Sequence, residues 1–477
     1  QFGEGNFLRA FADYFVDAAN EKAGFDAKVA VVQPIAQGGL KGRFDAQDCL
    51  YTLYLRGFEG GAEVSRKRVV SSIGRFIDPY EDPGALWAAA ANPSLRYVVS
   101  NTTEAGIAYD GSCAYGDMPP SGFPAKLARF LHERWKAFGG GGGGSGGLII
   151  LSCELIDDNG KELAACVRRH ASDWGLEAGF TRWLEDECLF CSTLVDRIVT
   201  GYPGAEASRL NAENGYEDGL LDAGEAFGLW VIEGPEWLAG ELPFARAGLP
   251  VKVVADHAPY KKQKVRILNG AHTSMAPVAW LCGLDIVRDC MRDEDVLAFF
   301  RRAVWREIIP ALPLPRRESE AFAASVEERF RNPFIDHALL SIALNSTSKW
   351  RARVLPSLKE YAARNGSLPA CLAFGLAAGI ALCAGASMET AGGRAYVRRG
   401  GQAFELRDDA HALEFYAKNG GRDSADLARL ALSNAELWGE DLAAVPGLEA
   451  FVAEKLGDIR GRGMRPALRA LLKEAGQ

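Results

Sequence analysis

The chain has 477 residues, 48% of them hydrophobic and 24% charged, with a formal net charge of −8. That length exceeds one compact core and predicts two or three domains with the composition of an ordinary soluble protein. Acids and bases are mixed along the whole chain, which lacks the basic face a duplex requires, so no nucleic acid partner is expected.

The chain opens on Gln1-Phe2 and the turn Gly3-Glu4-Gly5. Such a turn normally follows a strand, so residues ahead of Gln1 are expected, and no basic-then-apolar leader is visible. Residues 7–20 read as an amphipathic helix with Phe7, Phe11, Phe15 and Ala18 on one face. Short apolar strands follow at 28–32 (KVAVV), 96–100 (RYVVS) and 148–153 (LIILSC), with a helix at 124–138. Strands alternating with helices predict a parallel sheet covered on both faces. The run 139–147, eight glycines and one serine, holds no defined conformation and reads as a flexible loop or linker. From about residue 259 the period becomes helical, at 293–309, 319–330, 338–355, 369–383 and 446–457. The apolar stretch 371–383 is too short for a membrane span and predicts a buried helix, so no membrane partner is expected. Ten irregularly spaced cysteines fit a reducing cytoplasm rather than a disulfide framework. The lone pair Cys188 and Cys191 reads as two buried thiols, not a metal or redox site.

Gly3-Glu4-Gly5-Asn6-Phe7-Leu8-Arg9 enters the first helix. Gly3 permits a tight turn and Gly5 leaves room for a pyrophosphate against the backbone. The helix N-terminus offers free N–H groups and the positive end of its dipole. Leu8 stands where the third glycine of a dinucleotide fingerprint is usual, and a plain strand-to-helix turn shares the pattern. The expected cofactor residues here are Phe2, Gly3, Gly5, Asn6, Phe7 and Arg9. Asn101, Thr103 and Glu104 follow a strand and would lie at the carboxyl edge of the sheet, where they either meet the cofactor or cap a helix. Strand 28–32 runs into Gln33-Pro34 instead of the acid that holds an NAD ribose, so NAD and NADP are not distinguished there. The fold expected is an α/β Rossmann-type doubly wound domain over 1–257, then an all-α domain over 258–477, with the boundary near 255–261.

The segment 259–283, PYKKQKVRILNGAHTSMAPVAWLCG, concentrates polar groups on a helix whose apolar side carries Leu268, Ala271, Met275 and Val278. At about 100° per residue, Lys264, His272 and Asn269 fall at roughly 0°, 80° and 140°, one broad face with His272 in the middle. Asn269-Gly270 is a place where that helix would loosen. Hydride transfer to a ketone needs a proton donor, hydrogen bonds to the developing oxyanion, and exclusion of water. A lysine with a lowered pKa supplies the first, and Asn and His the second. A solvated lysine, a turn-forming asparagine and a satisfied core histidine would give the same letters.

The spacing Lys264-x4-Asn269-x2-His272 resembles the catalytic set of the polyol-specific long-chain dehydrogenases, the mannitol dehydrogenase family. So do GEGNFLRAF (3–11), QDCLYT (47–52), NTTEAG (101–106), LVDRIV (194–199) and RFRNPF (329–334), in the same order over nearly the whole chain. Cys153-Glu154-Leu155 departs from the mannitol branch, which has an asparagine after Cys-Asp. Ser341 stands where that branch has an arginine eight residues before the lysine, here Lys349. Both departures, with CELID and KVRILNGAHT, make the chain most similar to the branch that acts on keto sugar acids. The resemblance implies metal-independent, NAD-dependent transfer of hydride between a keto sugar acid and an aldonate, by a monomer or weak oligomer. Lys264 would be the general acid and base, Asn269 and His272 would polarise the carbonyl oxygen, Asp196 would orient the site, and Lys349 and Glu154 would meet the substrate. Arg351 and Arg353 are further carboxylate candidates on charge grounds.

Three rivals remain at this level. A sister reductase of fructuronate or mannitol type would share cofactor and catalytic residues. A nucleotide-binding regulatory protein would have kept the fold and lost turnover. A Schiff-base lyase would use Lys264 as nucleophile and leave the glycine turn unexplained.

Overall fold

The computed structural model describes residues 1–103, 105–140, 146–388 and 394–474. The chain divides into two compact units, Gln1–His257 and Ala258–Gln477.

The first unit is built on a parallel sheet. Val29–Val32 pairs with Ile73–Ile77 on one side; Tyr97–Ser100, Ile149–Ser152 and Leu189–Cys191 pair in that order on the other. Phe2 joins the two halves, bridging in parallel to both Val32 and Ser100. Taking Phe2 as the first strand, the order is 3-2-1-4-5-6, that of a doubly wound dinucleotide-binding domain. These strands are short apolar runs because both faces are covered. One face packs Phe2, Leu86, Leu127, Leu131, Ile150 and Leu163. The other packs Phe11, Phe15, Leu151, Trp230 and Phe244. Two further small sheets complete the unit. Tyr51–Glu59 pairs antiparallel with Ala62–Val70 and parallel with Asp222–Glu225. Leu229–Glu233 lies between Thr193–Asp196 and Val251–Val254.

The second unit is helical apart from a small antiparallel sheet of Ser387–Met388, Ala395–Arg399 and Gln402–Leu406. The apolar stretch around 371–383 forms the buried helix Ala370–Ala384. The Glu307 carboxylate accepts the N–H groups of Cys371 and Leu372, each at 2.9 Å, at the start of that helix. Among the described residues no helix is long and apolar enough to cross a membrane. The single helix expected over 338–355 is broken. Leu339–Ile342 and Ser346–Arg353 are separate helices, because Asn345 takes a left-handed conformation (φ 53°) between them. The Asp408 carboxylate then caps the second helix, accepting from Ser346 Oγ (2.8 Å) and from Thr347 N (3.1 Å) and Oγ1 (2.9 Å).

Candidate active site

The cofactor end forms where the strand order reverses. Phe2 donates its N–H to Val99 O (2.8 Å), and Gly3 donates to Val32 O (3.1 Å), so the glycine turn leaves the carboxyl edge between two strands. Gly3 has φ +121°, and a Cβ there would sit 2.9 Å from Asn101 O, which explains the glycine. Gly5 is exposed, and a Cβ on it would meet nothing within 4 Å. The backbone there is open to a ligand, just ahead of the helix that begins at Asn6. A first helical turn has no intrahelical acceptors for its N–H groups, so this cradle fits a pyrophosphate.

Not every expected cofactor residue lies on that surface. Asn6 is exposed and Phe7 half-buried. Phe2 is 2% exposed and packs on Phe123 and Phe130. Arg9 is equally buried: its guanidinium donates to Leu220 O (2.5 Å) and to Asn6. Asn101 donates through Nδ2 to Cys153 O (2.7 Å), and Thr103 has a left-handed backbone (φ 77°). Glu104 lies outside the described residues. Glu154 is 2% exposed, and its carboxylate accepts from Ser100 Oγ, Thr102 N and Thr102 Oγ1, each at 3.1 Å. Burial pushes its pKa up. Its position is that of a brace for the loop after Ser100, which is what couples the motifs around 101–106 and 153–157. Gln33, where a ribose acid is usual, is buried and donates to Ile35 O (3.0 Å). Asp196 ends its strand at 5% exposure. The next residue, Arg197, donates to Phe227 O (2.9 Å) and Ala10 O (2.5 Å).

Cys188 and Cys191 are free thiols, both pushed up to about 12 by burial, as two inert core cysteines would be. Glu233, Asp256 and His257 bring three possible ligand atoms within 4.8 Å of one another. Glu233 is already engaged by His257 Nδ1 (2.6 Å) and Lys161 Nζ (3.1 Å).

In the helical unit, Lys264, Asn269 and His272 share one continuous helix over residues 258–281. Its middle, Val265–Gly270, is a π-turn. Bonds in such a turn run from i to i+5. Lys264 and Asn269, five apart, are therefore brought closer to one line than in a regular α-helix, which would set them about 140° apart. His272 follows Asn269 by three. The wide turn narrows the broad face expected from regular helical spacing. Gly270 lets the Arg353 carbonyl pass close to this helix, since a Cβ there would stand 3.0 Å from Arg353 O. Neighbouring side chains fix the helix: Arg266 donates to Ser357 Oγ (2.8 Å), and Lys262 pairs with Glu360 (3.1 Å).

His272 is 8% exposed. Its ring stacks on Phe330 (3.9 Å between centroids, 6°) and meets His337 edge-on at 5.3 Å. Burial, then the charges of His337, Arg329 and Arg353, hold it well below the usual imidazole range, so it is neutral at physiological pH. Among the described residues its buried Nε2 has no hydrogen-bond partner. Lys264 and Asn269 are half-buried. Lys349 is half-buried, donating from Nζ to Ile342 O (3.1 Å); burial, then Arg353, pushes its pKa down. Phe330 and His337 were not foreseen as site residues. The signals were the ring inside RFRNPF and one of only six histidines, five residues after Asn332.

Comparison with known proteins agrees with this layout. The model of the mannitol dehydrogenase Rossmann domain matches residues 1–246, and that of the mannitol dehydrogenase C-terminal domain matches 256–460. An altronate oxidoreductase of Yersinia enterocolitica is 46% identical over 98% of this chain and 96% of that protein. One of Pectobacterium atrosepticum is 47% identical over 98% and 95%. In fold, a substrate-free D-sorbitol dehydrogenase superposes with TM-score 0.80 at 24% identity, covering 98% of this chain and 94% of that one. Pseudomonas fluorescens mannitol 2-dehydrogenase, in a ternary complex with NAD and D-mannitol, gives 0.66 at 23% identity, covering 99% and 93%. The chain belongs to the mannitol dehydrogenase family.

Proposed function

We propose that this chain is a cytoplasmic, NAD-dependent oxidoreductase that interconverts the keto sugar acid tagaturonate and the aldonate altronate. The observation that carries the reading is identity of 46–47% over 98% of the chain to altronate oxidoreductases. The lysine, asparagine and histidine on one π-turned helix support it. The compartment is supported by ten thiols without a disulfide.

The Gly3-Glu4-Gly5 turn and the helix start after it would hold the cofactor's pyrophosphate. When bound, the nicotinamide accepts or supplies the hydride. In reduction Lys264 gives a proton to the carbonyl oxygen; in oxidation it removes that proton from the hydroxyl. Asn269 donates a hydrogen bond from Nδ2 to the same oxygen. His272 donates another as its Nε2–H tautomer, and an imidazole kept neutral does so without competing as the acid. A buried donor with no internal partner loses nothing by turning to substrate.

The test follows NADH absorbance with tagaturonate, fructuronate and fructose, beside an NADPH control. Oxidation of NADH with tagaturonate well above the other substrates is expected. Turnover of the neutral ketose but neither keto acid would return the chain to the polyol branch. Cofactor binding with no turnover at all would leave a regulatory protein.

A further inference from the structure

Lys349 and Arg353 stand four residues apart on helix Ser346–Arg353, hence on one face. Like charges at that spacing repel, and partial burial removes the water that would screen them. Both side chains are half-buried. Among the described residues the Arg353 guanidinium forms no hydrogen bond or ion pair, and burial alone perturbs it. Lys349 reaches only a main-chain carbonyl. The acid in its field, Asp408, is occupied as the helix cap. A desolvated cation without a partner is costly, and folds keep one where something offsets it.

The surroundings say what that is. The Arg353 carbonyl abuts Gly270, one residue from Asn269 and two from His272. The charge of Arg353 is felt at His272, whose Nε2 has no partner. Arg351 is a different case. It is exposed, lies against Gly439, and borders a surface cleft with Lys359 and Glu440.

We propose that Arg353, together with Lys349, is the seat of the substrate's carboxylate and the determinant that selects keto sugar acids over neutral ketoses; this rests on the keto-acid reading above. The planar guanidinium matches a carboxylate through two parallel N–H···O bonds, and Lys349 adds a point charge. An anion between them converts a repulsive pair into a bridged one. A neutral ketose leaves the repulsion in place, so the selectivity has both an attractive and a repulsive part.

The experiment compares wild type, Arg353→Gln, Arg353→Lys and Arg351→Gln, each checked for a cooperative thermal transition. Steady-state kinetics are measured with tagaturonate, with fructose and for NADH. Losing a charge-assisted contact is expected to raise the tagaturonate KM of Arg353→Gln about 10- to 100-fold. Its NADH KM and its rate with fructose should not fall, Arg353→Lys should recover part of the loss, and Arg351→Gln should match wild type. Equal losses on tagaturonate and fructose, or an unchanged tagaturonate KM, would overturn the assignment. If Arg353→Gln does not fold, the lysine variant decides alone: an unchanged tagaturonate KM, or a rise matched on fructose, overturns it. Wild type reducing fructose but no keto acid would instead overturn the function proposed above, so the two failures are distinguishable.

Discussion

Among the described residues three helices contain a π-turn, and two of them put it to opposite use. In the helix of the first unit the wide turn is Arg9–Asp13, and all five residues are buried. Side chains take up its carbonyls: Tyr51 Oη donates to Arg9 O (2.6 Å), Arg197 to Ala10 O (2.5 Å), and Ser72 Oγ to Asp13 O (2.8 Å). Tyr51 and Arg197 come from the motifs QDCLYT and LVDRIV, which thereby acquire a structural role. In the helical unit the wide turn Val265–Gly270 is followed by a buried histidine nitrogen with no partner, in the field of two arginines. A π-turn is therefore not itself a site. Where side chains take up its carbonyls, as in the first, it serves packing; the second leads into an imidazole nitrogen with no partner among the described residues.

The contrast breaks if both turns respond alike to mutation. Lys264→Ala is expected to lower kcat/KM by at least ~10²-fold, as for loss of a proton-transfer group, with little change in melting temperature. Arg9→Met should do the reverse. It removes a buried guanidinium that faces Asp222 at 3.9 Å and lies over the Tyr51 ring. Asp222 would be left without its cation, although burial already pushes its carboxyl up to about 7 and so softens the loss. A cost of about 2–4 kcal/mol in urea unfolding is expected, with kcat of the remaining folded enzyme near wild type. A catalytic collapse in Arg9→Met without loss of stability would place the first turn in the chemistry after all.

Gly270→Ala gives a finer distinction. The position is helical (φ −66°), so alanine gains about 1 kcal/mol of propensity. Its Cβ must push the Arg353 carbonyl from 3.0 Å, which costs about 1–3 kcal/mol. The two nearly cancel, and stability should change by no more than about 2 kcal/mol. The displaced segment carries Arg353, so the tagaturonate KM should rise several-fold while the NADH KM holds. A parallel rise in both would mean that Gly270 supports the fold and nothing more specific.

How far the sequence alone could go differs between the same regions. The parallel strands were legible because Val, Ile and Leu runs buried on two faces have no competing reading. The hairpin Tyr51–Glu59 and Ala62–Val70 was passed over, although Gly60-Gly61, both left-handed, is a hairpin turn in plain sight. Lys264, Asn269 and His272 were legible as a constellation, yet the π-turn that aligns them was not, since a helical repeat carries no mark of an i→i+5 bond. Arg351 and Arg353 look equivalent as letters. Only the left-handed break at Asn345 and the close pass of Gly270 separate a surface arginine from one beside the helix that carries His272.

The smallest effect concerns pH and isolates His272. Burial, then the charges that His337, Arg329 and Arg353 carry when protonated, hold its folded-state pKa well below the ordinary 6.5. Below about pH 6.5 the unfolded chain binds a proton there that the folded chain refuses. Stability from this residue is thus complete above 6.5 and lost as pH falls, with a limiting slope of about 1.4 kcal/mol per pH unit. His132, His170 and His337 are depressed in the same direction and supply a common background. Between pH 7.5 and 5.5, wild type should therefore lose roughly 1 kcal/mol more than His272→Gln in urea unfolding. Equal losses would mean that the imidazole takes up its proton as readily in the folded state as in the unfolded one, and below about pH 6.5 it would then enter the reaction as a cation competing with Lys264 for the role of acid.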